Sequence, residues 1–414
     1  MTYKKLSLIF ILLLLFCGCS RMSYIERQTG KEQVKYPHIR VQILEGSALD
    51  LQCEGTYRLN CITPDSTAKG YYSVAPLNVS GSSGGLRIAD NYGFVLDSGL
   101  TLIFVSSRNR EAHLKINGKP FRGVLEIYSV GDSLEVVNVL NIEDYLKGVL
   151  PPEIGRLKKD AYEALKTQAV AARTYAYSRI KENSEKRYAV VNNIMDQVYT
   201  GILGEYDLAN KAIEETHGQI LTYNGEMITA YYHSTCGGFT EDIVNAWDKH
   251  AVGYLKSVDD DGYCQWSKFY EWEMTWKPKV LSRYICDYLV SNRQYDGDSL
   301  DVEDIQILER FPTGRISHLK VITDHGEFLL FKDQIRWAFR RPNNPNAILP
   351  SSNFSVQLWR DSEGNLTEIT ATGHGYGHGV GMCQTGAIGR ARAGFKYDQI
   401  LKAYYTGVEI TKAY

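Results

Sequence analysis

Three short segments contain the side chains of this sequence that could carry chemistry. The first, residues 145–154, has two consecutive prolines followed by Glu153. The second, residues 233–238, reads His-Ser-Thr-Cys-Gly-Gly, and the third, residues 373–382, alternates glycine with histidine, tyrosine and valine. A carboxyl group, imidazoles and a thiol allow acid/base, nucleophilic or metal chemistry.

Glu153 has two interpretations that its neighbours leave open. Pro151 and Pro152 fix the backbone φ angle, and a carboxyl on a stiff turn can protonate a leaving oxygen with little reorganisation. However, proline followed by glutamate also marks the start of a helix, where the carboxylate serves only the helix terminus.

The glycine-rich segment predicts an extended chain with two unlike faces. Side chains alternate between the faces of a strand, so one face would be bare backbone and the other would present His374, Tyr376 and His378. Bare backbone lets another chain or a sugar ring approach closely. The His-x-x-x-His spacing resembles a helical zinc pair, but this many glycines disfavour a helix. A purely structural glycine strand is the alternative.

The His233 segment allows three kinds of chemistry. His233, Cys236 and Cys264 could begin a zinc site, although no fourth ligand is evident. Cys236 and Cys264 could instead form a disulfide in an oxidising compartment. A Cys236/His233 nucleophile pair requires the chain to bend, because residues three apart on a strand point to opposite faces.

The surrounding pattern predicts an α+β fold. From Ile39 to about Leu140, short apolar runs separated by Gly, Asn, Asp and Ser predict a β-rich unit, a small barrel or sandwich. After it we expect a mixed helix/strand core that carries the site. Its predicted elements are a helix capped by Asn141, a helix from residue 160 to 182 with an alanine stripe, a helix over 207–216, a hairpin turning at Asn224-Gly225 and two strands within 317–330.

The composition is that of an ordinary globular protein. Apolar residues make up 44% and charged residues 23% of the 414 residues, and the net charge of −2 gives no reason to expect nucleic acid as a partner. The 29 tyrosines suit contact with sugars, but they equally suit a solvated β-rich surface. Cys53 and Cys61 flank a short loop, so we expect a local disulfide there, with two free thiols as the alternative.

The N-terminus resembles the signal of a lipoprotein. Lys4 and Lys5 precede an apolar run over 6–16, which is shorter than the roughly 20 residues of a membrane-spanning helix. The following residues resemble a lipobox with Phe16 in place of the usual leucine, which implies cleavage before Cys19 and acylation of its sulfur. Ordinary secretion is the alternative. We therefore expect an exported, membrane-anchored protein with a signal peptide (1–18), a tether (19–38), a β-rich part (39–140) and a core (141–414).

Taken together, the motifs of residues 39–414 resemble the SpoIID/LytB family, which includes the stage II sporulation protein D and the amidase enhancers. One departure is Cys383, where the family more often has serine. The matching stretches are Glu143-Asp144-Tyr145-Leu146-x-Gly148-Val149-x-x-x-Glu153, the run from Ala164 to Ala176, His233-Ser234-Thr235-x-Gly237-Gly238 and Gly377-His378-Gly379-Val380-Gly381-Met382-x-Gln384-x-Gly386-Ala387.

This resemblance implies a lytic transglycosylase that cleaves peptidoglycan glycan strands stripped of stem peptides. Its acid/base catalyst would be Glu153, it would require no cofactor, and a wall amidase is an expected partner. One carboxyl suffices when the 6-hydroxyl of muramic acid is the nucleophile, whereas glycoside hydrolysis usually needs two. The residues expected to shape the groove are Tyr145, Lys147, Arg173, Tyr175, His233, Ser234, Thr235, His374, Tyr376, His378 and Gln384.

Two rival hypotheses accompany the lytic transglycosylase. A non-catalytic glycan-binding or amidase-stimulating module would keep the groove but would not need an acid at position 153. A zinc hydrolase using His233, Cys236 and a histidine of the glycine segment would contain stoichiometric zinc and lose activity with a chelator.

Overall fold

The computed structural model describes residues 36–109 and 112–414. The predicted signal peptide, Cys19 and nearly all of the tether lie outside the described residues. No helix in the described part of the chain is both long enough and apolar enough to span a bilayer.

The first hundred described residues form two sheets, as the turn-separated apolar runs predict, and all their strands pair antiparallel except the later strand β13, which joins β1 in parallel. Alternate burial along Tyr57–Ile62 shows why these residues make a strand with one face in the core. The seven-stranded sheet has the order β13-β1-β12-β11-β8-β3-β4, with β1 His38–Gly46, β3 Tyr57–Ile62, β4 Ala68–Ser73, β8 Leu102–Ser107, β11 Val124–Val130, β12 Ser133–Asn141 and β13 Val190–Val191. The six-stranded sheet has the order β10-β9-β2-β5-β6-β7, with β2 Ala48–Cys53, β5 Leu77–Ser82, β6 Gly85–Asp90, β7 Val95–Leu100, β9 Leu114–Ile116 and β10 Lys119–Phe121.

The two sheets pack together as a sandwich, since β5 and β6 contact β11 and β12. A Cβ added at Gly81 on β5 would lie 2.4 Å from the backbone of Ser133, so the glycine permits this close approach. The predicted disulfide between Cys53 and Cys61 is wrong. Both are free thiols, Cys53 at the end of β2 in one sheet and Cys61 on β3 in the other.

The helices follow the sandwich directly, since β12 passes into α1 at Asn141. The Asn141 side chain accepts from the Asp144 N–H at 2.8 Å, which confirms the predicted cap. The described helices are α1 Ile142–Ile154, α2 Tyr162–Glu182, α3 Asp207–Glu215, α4 Ile243–Ala246, α5 Pro278–Ser291, α6 Gln334–Ala338, α7 Gln384–Arg392 and α8 Tyr397–Tyr404.

The helix α2 is central, as its alanine stripe predicts. Small side chains let α1, α3, α7, α8 and the strand Gln219–Tyr223 approach it closely, and its residues from Thr167 to Ala176 are buried. The strand Gln219–Tyr223 is β14; it pairs with β15 Glu226–Met227 and β26 Glu409–Lys412.

The predicted hairpin is only partly present. Asn224 and Gly225 turn with φ angles of 52° and 81°, as such a turn requires. The returning strand, however, ends at Met227, and β16 Tyr232–His233 pairs in parallel with β25 Met382–Cys383. This long-range pairing joins the His233 segment to the end of the glycine-rich segment.

A second apolar core lies within residues 272–371. It is formed by the helices α5 and α6 and by two three-stranded sheets, one of which contains the two strands predicted within 317–330. The strands are β17 Glu271–Trp276, β24 Leu366–His374 and β23 Phe354–Arg360 in one sheet, β18 Val302–Arg310, β19 Ile316–Thr323 and β20 Gly326–Phe331 in the other, and the pair β21 Arg340–Arg341 and β22 Asn344–Ile348. Residues His38–Ala413 form one compact unit.

Candidate active site

Glu153 lies in the last turn of α1 rather than at a helix start, so the interpretation as an N-terminal capping residue is wrong. The helix continues through Pro151 and Pro152 to Ile154. Proline at 152 cannot donate to the carbonyl of Gly148, and that carbonyl instead accepts from the Thr200 N–H at 3.2 Å. The chain after residue 190 thereby stabilises the turn that carries the carboxyl.

Two neutral donors hold the Glu153 carboxyl. The backbone N–H of Val198 donates to Oε1 at 2.6 Å, and the side-chain amide of Gln384 is the second donor. Burial raises the pKa of Glu153 to about 7, although both hydrogen bonds act to lower it. The C-terminal end of a helix also disfavours a negative charge. Near neutral pH the carboxyl is therefore partly protonated.

Two phenols lie beside Glu153, that of Tyr145 buried and that of Tyr232 half-buried. The Tyr145 hydroxyl donates to Gln197 Oε1 at 3.0 Å, and Gln197 Nε2 donates to the Tyr232 hydroxyl at 2.9 Å. Burial raises the pKa of both tyrosines well above 10, and the nearby Glu153 acts in the same direction. Glu153 thus has neutral side chains near it.

In front of Glu153 lies a cleft of about 800 Å³. A cleft of this size, with aromatic faces and polar tips, can accommodate several sugar rings. Its aromatic lining comes from Tyr175, Tyr231, Tyr232, Trp247, Phe331, Trp337 and Tyr376.

The other acidic side chains of the cleft are paired with cations. Hydrogen bonds from the Tyr175 hydroxyl at 2.6 Å and the Val191 N–H at 2.9 Å further hold Asp196. Glu153, by contrast, is held by neutral donors. The pairs are Asp196 with Arg179 at 3.3 Å, Asp248 with Lys332 at 2.7 Å and Asp333 with Arg336 at 3.0 Å.

The glycine-rich segment is a loop, so the prediction of an extended chain is wrong. The strand β24 ends at His374, and Gly375, Gly377, Gly379 and Gly381 have φ angles of 82°, 117°, 86° and 70°. Only glycine adopts such angles readily. The loop packs closely on the His233 segment, since a Cβ at Gly375 would lie 2.8 Å from the Cys236 carbonyl oxygen.

The loop separates the three side chains that were expected on one face. Tyr376 and His378 line the cleft, but His374 does not and instead sits opposite Glu271 on β17. His378 is held at both nitrogens: Nε2 donates to the Tyr232 carbonyl and Nδ1 accepts from the Val380 N–H, each at 3.0 Å. Burial lowers its pKa well below 6.5, so this imidazole is neutral and positions the cleft wall.

His233 and Ser234 also line the cleft, as expected. His233 Nδ1 donates to the Val380 carbonyl at 3.2 Å, and burial lowers the pKa of this imidazole to about 3. The Cys236 Sγ atom lies 3.5 Å from Cys264 Sγ. His233 bonds to Val380 rather than to Cys236, so we correct the interpretation of His233 and Cys236 as a nucleophile pair.

Arg173 does not belong to the cleft. Its fully buried guanidinium donates to both oxygens of Glu143 at 2.8 Å and to the carbonyls of Ile213 and Gln219 at 3.2 Å. We therefore correct its assignment to the groove: Arg173 joins α1, α2 and the α3–β14 connection.

Three other residues expected in the groove lie outside the cleft lining. Tyr145 is fully buried below Glu153. Lys147 pairs with Asp144 at 2.9 Å on the outer side of α1. Thr235 is also fully buried and bonds to Ser267 at 3.0 Å. Tyr145 and Thr235 act through the residues they support, while Tyr175 and Gln384 line the cleft as expected.

Several residues of the site were not found from the sequence. Asp196, Gln197 and Val198 lie on an irregular segment without a motif, and Trp247 and Trp337 lie in regions for which the sequence analysis gave no element or motif. The available signal for the tryptophans was a single large aromatic residue beside charged neighbours, which also occurs on ordinary surfaces.

Two family models match this chain. The model of the SpoIID family, described as stage II sporulation protein, matches residues 130–223, which include Glu153. A family described as a domain of unknown function, DUF8618, matches residues 240–381, which include most of the glycine-rich loop.

Three relatives extend the likeness over most of the chain. An uncharacterized protein of Brachyspira hyodysenteriae is 34% identical over 296 residues, covering 71% of this chain and 73% of the relative. The stage II sporulation protein D of Bacillus subtilis is 31% identical over 294 residues, covering 67% and 76%. The amidase enhancer of Bacillus subtilis is 29% identical over 298 residues, and the match covers 64% of this chain but 40% of that protein. The chain belongs to the SpoIID/LytB family.

Proposed function

We propose that this protein is a peptidoglycan lytic transglycosylase with Glu153 as its acid/base catalyst. The observation that carries the proposal is the carboxyl of Glu153 at the wall of the cleft, with a pKa raised by burial to about 7. A carboxyl that retains its proton at neutral pH can donate it to a leaving oxygen.

The reaction balances with this one carboxyl. Glu153 protonates the glycosidic oxygen as the bond from that oxygen to the muramic C1 breaks. The 6-hydroxyl oxygen of the same sugar then bonds to C1, and its proton passes to the Glu153 carboxylate, which restores the acid. The product is a 1,6-anhydromuramic end, and neither water nor a cofactor is consumed.

The remaining acids of the cleft support this mechanism over hydrolysis. Hydrolases usually use a second carboxylate as nucleophile or base. The three other acidic side chains of the lining are paired with Arg179, Lys332 and Arg336. An internal nucleophile removes the need for a second free carboxylate.

The substrate class follows from the relatives and from the shape of the cleft. One relative is named an amidase enhancer, and an amidase that strips stem peptides would prepare bare glycan for this cleft. We further infer that the chain is exported and anchored by a lipid at Cys19, which would keep it beside the wall.

The test is mass spectrometry of the products from purified glycan strands without stem peptides. Wild-type protein should release anhydromuramic ends, whereas Glu153→Gln should leave the strands uncut while still binding them. Glu226→Gln, which changes an exposed glutamate at the β14–β15 turn, is the matched control and should cut normally.

Each other outcome has a definite meaning. Uncut strands that are bound by the wild-type protein would favour the amidase-stimulating module. Reducing ends in place of anhydro ends would indicate hydrolysis by a second carboxylate. Normal cutting by Glu153→Gln would remove Glu153 from the reaction.

A further inference from the structure

Behind the cleft wall, three thiols and one carboxyl converge. One ligand atom from each of Cys236, Asp260, Cys264 and Cys383 lies within 4.8 Å of the other three, and all four residues are buried. They come from three separate parts of the chain: Cys236 follows β16, Cys383 ends β25, and Asp260 and Cys264 belong to one turn. Such convergence in an interior calls for an explanation.

The spacing matches the edges of a metal tetrahedron. A zinc–sulfur bond of about 2.3 Å implies sulfur–sulfur separations of roughly 3.8 Å in tetrahedral geometry. The Cys236 and Cys264 sulfurs are 3.5 Å apart, too far for the covalent S–S bond of about 2.05 Å. Three thiolates and one carboxylate are a donor set that suits zinc.

Hydrogen bonds already orient the ligands. Cys383 Sγ accepts from the Cys236 N–H at 3.2 Å and from the Gly386 N–H at 3.3 Å, at the N-terminus of α7. Both donors stabilise a thiolate. Asp260 accepts from the Tyr404 hydroxyl and from the Cys264 N–H, so its carboxyl is also held in place. Such outer contacts typically fix the ligands of a metal site.

Two buried cations lie against the same cluster. Arg315 donates to the Cys236 carbonyl and Arg390 to the Asp260 carbonyl, each at 3.3 Å. Three thiolates, a carboxylate and a divalent cation carry a net charge of −2. The two guanidiniums reduce this charge in the interior, and Arg390 also pairs with Asp261 at 2.8 Å.

We propose that Cys236, Asp260, Cys264 and Cys383 form a structural zinc site. All four tetrahedral positions are filled by protein, which leaves none for water or substrate and distinguishes the site from a catalytic one. Zinc binding displaces the thiol protons to solvent. The site differs from the zinc set that the sequence allowed, since Cys383 and Asp260 take the place of His233.

The zinc site would support two segments of the candidate active site. Cys236 is two residues after Ser234 of the cleft lining, and Cys383 immediately precedes Gln384, whose amide donates to Glu153. Zinc would therefore fix the spacing between the two segments that β16 and β25 bring together. The proposal does not depend on the lytic reaction, because its readouts are metal content and thermal stability.

The first test is the zinc content of the full chain, purified under reducing conditions with zinc supplied, measured by plasma mass spectrometry. The wild type should contain one zinc per chain, and Cys264→Ser and Cys383→Ser should lose it. Cys286→Ser is the matched control: this cysteine is buried in the separate core of residues 272–371 and should leave the zinc content unchanged. A strong chelator should lower the melting temperature of the wild type and of the control alike.

A second measurement uses only the wild type, so it holds even if the serine variants fail to fold. Cobalt bound in place of zinc should give the visible bands of tetrahedral coordination and an intense thiolate-to-metal band in the near ultraviolet. The absence of bound metal in folded protein would overturn the proposal. Detection of a Cys236–Cys264 disulfide by mass spectrometry in folded, metal-free protein would also overturn the proposal. The two cysteines would then form a disulfide instead of binding zinc.

Discussion

Glu153 differs from the other acidic side chains of the cleft in what surrounds it. Its donors are a backbone N–H and an amide, and it lies beside the phenols of Tyr145 and Tyr232. Asp196, by contrast, bonds to Tyr175 and pairs with Arg179. The two carboxyls thus differ in their partners: neutral donors hold Glu153, whereas a cation pairs with Asp196.

The pH dependence of the rate follows from this environment. Because the acid form of Glu153 starts the reaction, kcat/KM for glycan cleavage should be constant below its pKa of about 7 and fall at higher pH, tenfold per unit. The rate should not fall at low pH, because no second group has to be deprotonated before the reaction starts. The base of the second step is the Glu153 carboxylate, which forms when Glu153 donates its proton. Initial rates from pH 5 to 9 test this. A rate that rises through pH 7 would mean that Glu153 starts as a base.

The same burial should make Glu153 lower the free energy of unfolding at high pH. Its folded-state pKa of about 7 exceeds the ordinary 4.5, so the stability it contributes is fully present below pH 4.5 and is lost as the pH rises through 7. The variant Glu153→Gln should not show this loss, because the glutamine side chain does not ionise. It should be more stable than wild type by about 1–3 kcal/mol at pH 8 and equal to it at pH 4.

Urea unfolding at the two pH values measures this difference. Glu226→Gln serves as the control, because it removes a charge at an exposed turn. If both variants change equally between pH 4 and pH 8, burial of Glu153 is not the cause.

The sequence could identify Glu153 but not its surroundings. The motif around residues 143–153 and its resemblance to a family pointed to this glutamate. Its donors Val198 and Gln384 lie 45 and 231 residues further along the chain. Contacts across such separations depend on tertiary structure, so local patterns do not reveal them.

At the level of elements, the glycine-rich loop illustrates where pattern reasoning fails. Alternation in the sequence predicts alternation of faces only if the backbone is extended. Positive φ angles at four glycines curl the loop instead, so Tyr376 and His378 reach the cleft while His374 does not. By contrast, the helix predicted from the alanine stripe of α2 is confirmed, because helical periodicity is a local property of the sequence.

The ion pair of Arg173 with Glu143 should stabilise the contact between α1 and α2. Arg173→Met would leave Glu143, which is 12% exposed, without its cation, and should cost about 3–5 kcal/mol of unfolding free energy. Adding Glu143→Leu should recover part of this loss. Urea unfolding measures both variants.

A surface pair provides the control for Arg173. Lys279 and Asp301 lie 2.8 Å apart with both side chains exposed, so Lys279→Met should have little effect on unfolding. Should Arg173→Met unfold like the wild type but bind glycan strands poorly, Arg173 would belong to the groove after all, as the family resemblance implies.

At the scale of the whole molecule, the cleft is assembled from both regions that match family models. Glu153, Tyr175 and Asp196 come from residues 130–223, while Trp247 and Trp337 come from residues 240–381. Sequence patterns predicted an α+β chain with a β-rich start, but not that the core of residues 272–371 would supply one wall. That wall depends on how α6 packs beside β20, which no local pattern encodes.

This second wall should bind substrate without taking part in the chemistry. Trp337 on α6 lines the cleft and is 37% exposed, so its ring is free to lie against a sugar. Trp337→Ala should weaken binding of glycan strands by about 1–2 kcal/mol, or roughly 5–30-fold, and leave kcat near the wild-type value. Trp359→Ala is the control, because Trp359 is 48% exposed on β23 and is not part of the cleft lining. Binding titrations with bare strands and rates at saturating substrate separate the two effects. Equal weakening by both variants, or a fall in kcat with Trp337→Ala alone, would contradict a wall that only binds.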